Sequence, residues 1–246
     1  MTSRELTIDA RFAGPPRSGN GGYTAGRLAA HLGSAAEPVN EAVSVTLRQP
    51  PPLDLSMRVV SDAKEARLTS GDVVIATATR GRFAQDPVAP VEARVAEQAQ
   101  STYRGFANHP FPGCFSCGPD RELGDALRLA PGLVEPGRTA CIWVPDPSLA
   151  AEPAAEAAAI EFVWAALDCP GGWTSDLDAR PLVLGRITAT SDRPARLGRP
   201  HVVVGELVGE EGRKTFTATA VYDDTGHVVG RAEHVWIAVD AAAFAP

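Results

Sequence analysis

Lysine is almost absent from this chain. Lys64 and Lys214 stand against a large excess of arginine, and the 246 residues carry a formal net charge of -7. A general nucleic-acid binder needs a basic field, so that class is excluded, while a few local arginines would still serve an anionic small ligand. With so much alanine present, the lysine scarcity reflects a GC-rich coding sequence and not a function. No apolar run approaches the about 18 residues that mark a membrane helix. The first residues, Met1-Thr2-Ser3-Arg4-Glu5, lack the basic-then-apolar layout of a signal peptide, which predicts a cytoplasmic protein without a membrane partner. The Gly-x-Ser-x-Gly elbow of Ser-His-Asp hydrolases is missing as well.

Cysteine is scarce: Cys114, Cys117, Cys141 and Cys169 are the four. Cys114-x-x-Cys117 has the spacing of half a zinc site or of a redox pair. A second pair at ligand spacing is missing, and His109 would supply only a third ligand. The expectation is therefore no metal, no cofactor and no disulfide, with the pair as small buried residues in a turn.

What the sequence does contain is a long internal echo. In the first half, Asn20-Gly21-Gly22-Tyr23-Thr24-Ala25-Gly26-Arg27-Leu28 leads into β-type segments at 43–47, 55–60 and 66–83. In the second half an Ala-rich helical stretch, 154–168, leads into segments at 181–190, 201–208, 214–222 and 227–239. Gly71-Asp72-Val73-Val74 is echoed by Gly226-His227-Val228-Val229. A period this long predicts two fused copies of one domain, not a solenoid of short repeats.

The local patterns predict more detail. Residues 5–14 alternate and read as a strand. A helix follows over 22–32, ending near Gly33; its glycines cost roughly 1 kcal/mol each against Ala, tolerable where backbone must approach backbone or ligand closely. Strands are expected at about 40–48, 54–61, 63–70 and 72–82. Residues 91–100 form a short helix, 121–131 and 137–145 give strand signals, and the helix over 154–168 stops at Pro170-Gly171-Gly172. Residues 221–227 carry a hairpin turn. One helix followed by four or five hairpin-linked antiparallel strands, twice, is an α+β plan. The domains are drawn as 1–95 and 109–246, with 96–108 as linker.

This pattern resembles the hotdog fold, a curved antiparallel sheet wrapped around one long helix, and the tandem resembles double-hotdog acyl-CoA thioesterases. Asn20-Gly21-Gly22-Tyr23-Thr24-Ala25-Gly26 is similar to the Gly-Gly start of the hotdog helix. His109-Pro-Phe-Pro-Gly-Cys114-Phe115-Ser116-Cys117-Gly118 is similar to the Cys-Phe-x-Cys-Gly segment of thioesterases related to the phenylacetate-pathway enzymes. Leu167-Asp168 is similar to the Leu-Asp of that family's helix. The resemblance implies a catalytic carboxylate on one helix facing backbone N–H groups at the start of the other. Here the halves complement each other: the first helix has Gly21-Gly22 but Ala30 about eight residues on, and the second has Asp168 but Ile160-Glu161 about eight residues before it.

The implied site is composite. Asp168, Gly22 and Tyr23 carry catalysis, Asn20, Gly21 and Thr24 contact substrate, and the reciprocal site is dead. A helix start presents unpaired N–H groups and partial positive charge to a developing oxyanion. The carboxylate opposite activates water or attacks directly. The implied partner is an acyl-CoA or acyl-carrier thioester, with Arg80, Arg82, Arg104 and Arg186 available for phosphates and homodimers of double-hotdog chains possible. The alternatives are a non-catalytic acyl-CoA binding protein, an enoyl-CoA hydratase, for which no Asp with a nearby His in a Gly-rich loop is visible, and a purely structural protein. Asn20 also reads as a helix N-cap, and Glu161 as a reserve carboxylate.

Overall fold

The computed structural model of the protein describes residues 2–32 and 42–240. Gly33, the first residues of the strand expected from 40, and the tail 241–246 lie outside them.

Leu6 faces the core at the end of the first strand, β1 (Thr2–Leu6). The alternation at 5–14 then misleads. Asp9 caps a single 3-10 turn at Ala10–Phe12, its carboxylate accepting from Arg11 N–H. That local bond competes with extension. Helix α1 (Gly21–Ala29) follows, capped by the Asn20 side chain. Then come β2 (Ala42–Leu47), β3 (Met57–Ser61), β4 (Glu65–Ser70) and β5 (Val73–Gly81), close to the expected spans. Helix α2 (Ala93–Gln100) precedes β6 (Gly132–Glu135) and β7 (Arg138–Trp143). The strand expected at 121–131 is instead irregular chain.

Helix α3 (Ile160–Gly172) differs from expectation at both ends. Residues 154–159 have helix-forming composition, yet Ala154 has φ 68° and Ala158 N–H bonds to Ala195 O, which holds this stretch against a loop. At the other end the helix runs through Pro170-Gly171-Gly172. Pro170 removes one N–H from the last turn, and buried hydroxyls serve the carbonyls there: Thr219 donates to Leu167 O (2.7 Å) and Thr139 to Pro170 O (2.8 Å). The glycines are needed for close approach. A Cβ at Gly171 would lie 2.5 Å from Thr217 Oγ1, and one at Gly205 would lie 2.5 Å from Pro170 O. Four long strands finish the chain: β8 (Leu182–Ser191), β9 (His201–Glu211), β10 (Lys214–Tyr222) and β11 (Val228–Ala238).

All strands join one antiparallel sheet in the order β1-β3-β4-β5-β2-β8-β11-β10-β9-β7-β6. Read outward from the β2–β8 seam, the two sides repeat one order: β2-β5-β4-β3-β1 and β8-β11-β10-β9-β7. The seam is short, Val43 opposite Ala189 through Thr46 opposite Arg186. One core spans both sides, with Val45, Leu68, Leu167, Ile187, Val203 and Val221 all buried in it. Alternate residues of β7, β9 and β10 point the other way and meet α2: Ala96 packs with Ala140, Val204, Ala220 and Tyr222. This period-two division explains why those strands are apolar on both faces.

His234 of β11 lies in the first layer beneath α3. Its Nδ1 is 3.2 Å from Thr217 Oγ1, and its Nε2 is buried without a partner among the described residues. Burial pushes its pKa down to about 4. The unfolded chain therefore binds the proton first, and stability falls as pH drops through the window from about 6.5 to about 4. Denaturant titrations at pH 7 and pH 4 should show about 3 kcal/mol of this loss abolished in His234→Leu relative to wild type.

Candidate functional site

Helices α1 and α3 cross in antiparallel fashion at van der Waals contact, and glycine makes this possible. A Cβ at Gly22 would lie 2.6 Å from both Asp168 Cβ and Trp164 O. One at Gly26, a turn later, would lie 2.8 Å from Glu161 Cα. The start of α1 is thereby held against the later turns of α3, and Asp168 sits mid-helix, 2% exposed, facing it.

The first N–H groups of α1 are divided among specific acceptors. Gly22 N–H donates to Asp168 Oδ2 (2.9 Å), Tyr23 N–H to the Asn20 Oδ1 cap (2.8 Å), and Thr24 N–H to Asn20 O (3.0 Å). Gly21 borders the adjoining cavity. The Asn20 amide also donates to Asp168 Oδ2 (3.2 Å), while Asp168 Oδ1 is buried with no partner among the described residues. Burial raises the Asp168 pKa to about 7, opposed by the Gly22 N–H, and the negative charge on Cys114 raises it further. A carboxyl poised there exchanges a proton readily at neutral pH.

The cavity occupies about 260 Å³ and reaches Asn20, Gly21, Asp168 and Cys169. Its walls are largely apolar, with Leu182, Leu184, Trp173 and Trp236 among them. Three cysteines border it: Cys114, Cys117 and Cys169, whose sulfurs all lie within 4.8 Å of one another. All four cysteines are free thiols. Hydrogen bonds from Cys117 and Cys169 hold the Cys114 thiol well below the ordinary range; burial lifts Cys117, and its bond to Cys114 lifts Cys169.

No family model matches the chain, and no curated protein matches it by sequence. Solved structures do match across nearly the whole length. The TesB protein of Mycobacterium avium subsp. paratuberculosis superposes with TM-score 0.60 at 10% identity, covering 97% of this chain and 93% of that one. A candidate thioesterase II from Thermobifida fusca gives 0.59 at 11% identity, covering 98% and 93%. A conserved protein of unknown function with a hotdog fold, from Alicyclobacillus acidocaldarius, gives 0.57 at 11% identity, covering 97% and 93%. The chain has the hotdog fold. Identities this low carry the architecture alone, because fold does not fix function.

Within this hotdog, the residues singled out in the sequence divide into two groups. Asn20, Gly21 and Asp168 line the cavity, and Gly22 stands behind them, its N–H bonded to Asp168. The Tyr23 side chain turns away, stacked on Phe12 (ring centroids 4.1 Å apart) and accepting from Arg27. Only its backbone N–H serves the helix start. Thr24 is fully buried, and its Oγ1, unpartnered among the described residues, lies beside Gly19. Glu161 pairs with Arg27 (3.8 Å) across the helix crossing. Arg104 pairs with Asp176, and Arg186 donates to Thr46. Sequence reasoning missed Cys169 and Trp173. The Cys114-x-x-Cys117 spacing was visible, but nothing local ties it to a residue more than 50 positions away.

A Cβ at position 22 has only backbone and the start of a side chain to displace. Gly22→Ala should therefore destabilise the protein by about 1–3 kcal/mol, although Ala favours a helix by up to about 1 kcal/mol. Gly209→Ala, with open space around it, should be near neutral. Equal unfolding midpoints for the two variants would contradict the close crossing.

Proposed function

We propose that the chain is a tandem hotdog, with repeats at about 1–95 and 109–246, that hydrolyses an acyl thioester at one composite site. The observation that carries this reading is the meeting of Asp168, on α3, with the Gly22 N–H at the start of α1, beside an apolar cavity. The repeated strand order on either side of the β2–β8 seam supports the tandem.

In the proposed reaction the acyl chain lies in the cavity, and the thioester oxygen takes the Gly21 N–H at the positive end of α1. Gly22 N–H and the Asn20 amide hold Asp168 in position. The Asp168 carboxylate accepts a proton from water as that water adds to the carbonyl carbon. The C–S bond then breaks, the departing thiolate takes up the proton held by Asp168, and the new carboxylic acid releases its own proton to solvent, leaving a carboxylate and a free thiol. The thiol is coenzyme A or the prosthetic arm of an acyl carrier protein. At the other end of the helix crossing, Arg27 and Glu161 pair where the reciprocal site would lie, so one site per chain is retained. One observation favours a binding protein instead: Asp168 and Gly22 N–H already satisfy each other.

Thiol release from short, long and aromatic acyl-CoAs separates the two. Asp168→Asn should keep the fold and lower kcat by about 100-fold or more. Undiminished turnover in the folded variant would sink the proposal. Saturable acyl-CoA binding without thiol release by the wild-type protein would establish the binding reading.

A further inference from the structure

We propose that Cys114, Cys117 and Cys169 form a three-thiolate site for a zinc-class divalent cation, with its fourth position opening on the cavity. The Cys114-x-x-Cys117 spacing offered only His109 as a third ligand; the fold brings a third sulfur instead, Cys169 of α3, beside that turn.

The sulfur geometry suits such an ion. Tetrahedral zinc with bonds of about 2.3 Å places its sulfur ligands about 3.8 Å apart. Cys114 Sγ and Cys169 Sγ are 3.7 Å apart, and no pair among the three exceeds 4.8 Å. Cys114 and Cys117 are buried, while Cys169 is half-buried at the cavity wall.

A second observation comes from the donors aimed at Cys117. Phe111 N–H donates to His109 Nδ1 (2.9 Å), so that nitrogen carries no proton and Nε2 does. His109 Nε2–H then points at Cys117 Sγ from 3.3 Å, and Trp173 Nε1–H points at the same sulfur from 3.5 Å. Trp173 can only donate. Two N–H groups converge on one buried sulfur that burial would otherwise keep protonated, and a bound dication, which deprotonates its thiol ligands outright, supplies the thiolate these donors would serve. The same tautomer removes His109 from the ligand set and makes it, with Trp173, a positioning residue that orients and tunes the sulfur.

The fourth position falls to water or to an incoming ligand, as in zinc sites that keep three protein ligands. Asp168 borders the same cavity and precedes Cys169 in the chain. Asn20 links it to the cluster, donating to Asp168 Oδ2 and standing 3.7 Å from Cys114 Sγ. A water on the ion is the partner that Asp168 Oδ1 lacks. The metal site stands independently of thioester hydrolysis.

The test is made on the whole chain, purified under reducing conditions, stripped with a chelator and titrated with Zn²⁺ and Co²⁺. The expected result is one tightly held equivalent per chain, with a thiolate-to-cobalt charge-transfer band. Cys169→Ser and Cys117→Ser should lose the band. Trp173→Phe, which keeps the ring but not the N–H, should bind about 10–100-fold more weakly with its fold intact. Asp168→Asn should keep the metal while losing any hydrolysis, which separates this inference from the function proposed above. Wild-type protein with all its thiols titratable and no charge-transfer band at excess Co²⁺ would overturn the site. So would Cys169→Ser binding as tightly as wild type.

Discussion

Everything at the centre of this molecule depends on how closely two helices approach. Gly22 and Gly26 let the backbone of α1 lie against α3, and a methyl group at either position would collide with backbone or with the root of a side chain. The free energy lost to glycine's flexibility in a helix is thus converted into placement: a carboxylate on α3 meets a backbone N–H at the start of α1. The distance from Gly22 N to Asp168 Oδ2 is set by main-chain packing and not by two flexible side chains. Such a contact is already organised before any ligand arrives.

The surroundings of Asp168 extend the same logic. A carboxyl removed from water resists ionisation, and here one of its oxygens is bonded twice while the other has no partner among the described residues. An orphaned buried oxygen is costly and calls for a physical explanation, an ordered water or a bound group among them. The sulfur cluster beside it is an equally uncommon feature for a protein interior. Buried cysteines usually behave as small apolar residues, yet Cys117 has two N–H groups directed at it.

Much of the architecture was legible in the sequence. The strand hairpins announced themselves by alternation and by Gly71 and Gly226, both at positive φ in turns. The paired glycines and Leu167-Asp168 pointed to the helix crossing. What misled was local pattern overridden by tertiary contact. Residues 154–159 look helical but are pinned as a loop, and 5–14 alternate but break at the Asp9 cap. Pro170-Gly171-Gly172 reads as a stop, yet it is a thin helical end fitted under β9 and β10. Tyr23 and Thr24 belong to the same motif as Gly21 and Gly22, but a helix turns each successive side chain by about 100 degrees, and theirs point into packing. The sulfur cluster was illegible because its third member is distant along the chain.

The seam between β2 and β8 also governs how the chain comes into being. Val43 must wait for Ala189, so the inner edge of the first half-sheet stays open until most of the chain has been synthesised. The helix that covers that half, α1, likewise lacks α3. An emerging first half of the chain therefore presents an unpaired strand edge and an uncovered glycine face at the same time, the combination that invites wrong pairing with another nascent chain. Carrying both half-sheets on one polypeptide supplies the correct partner at high local concentration, but only after a delay set by the length of the intervening chain.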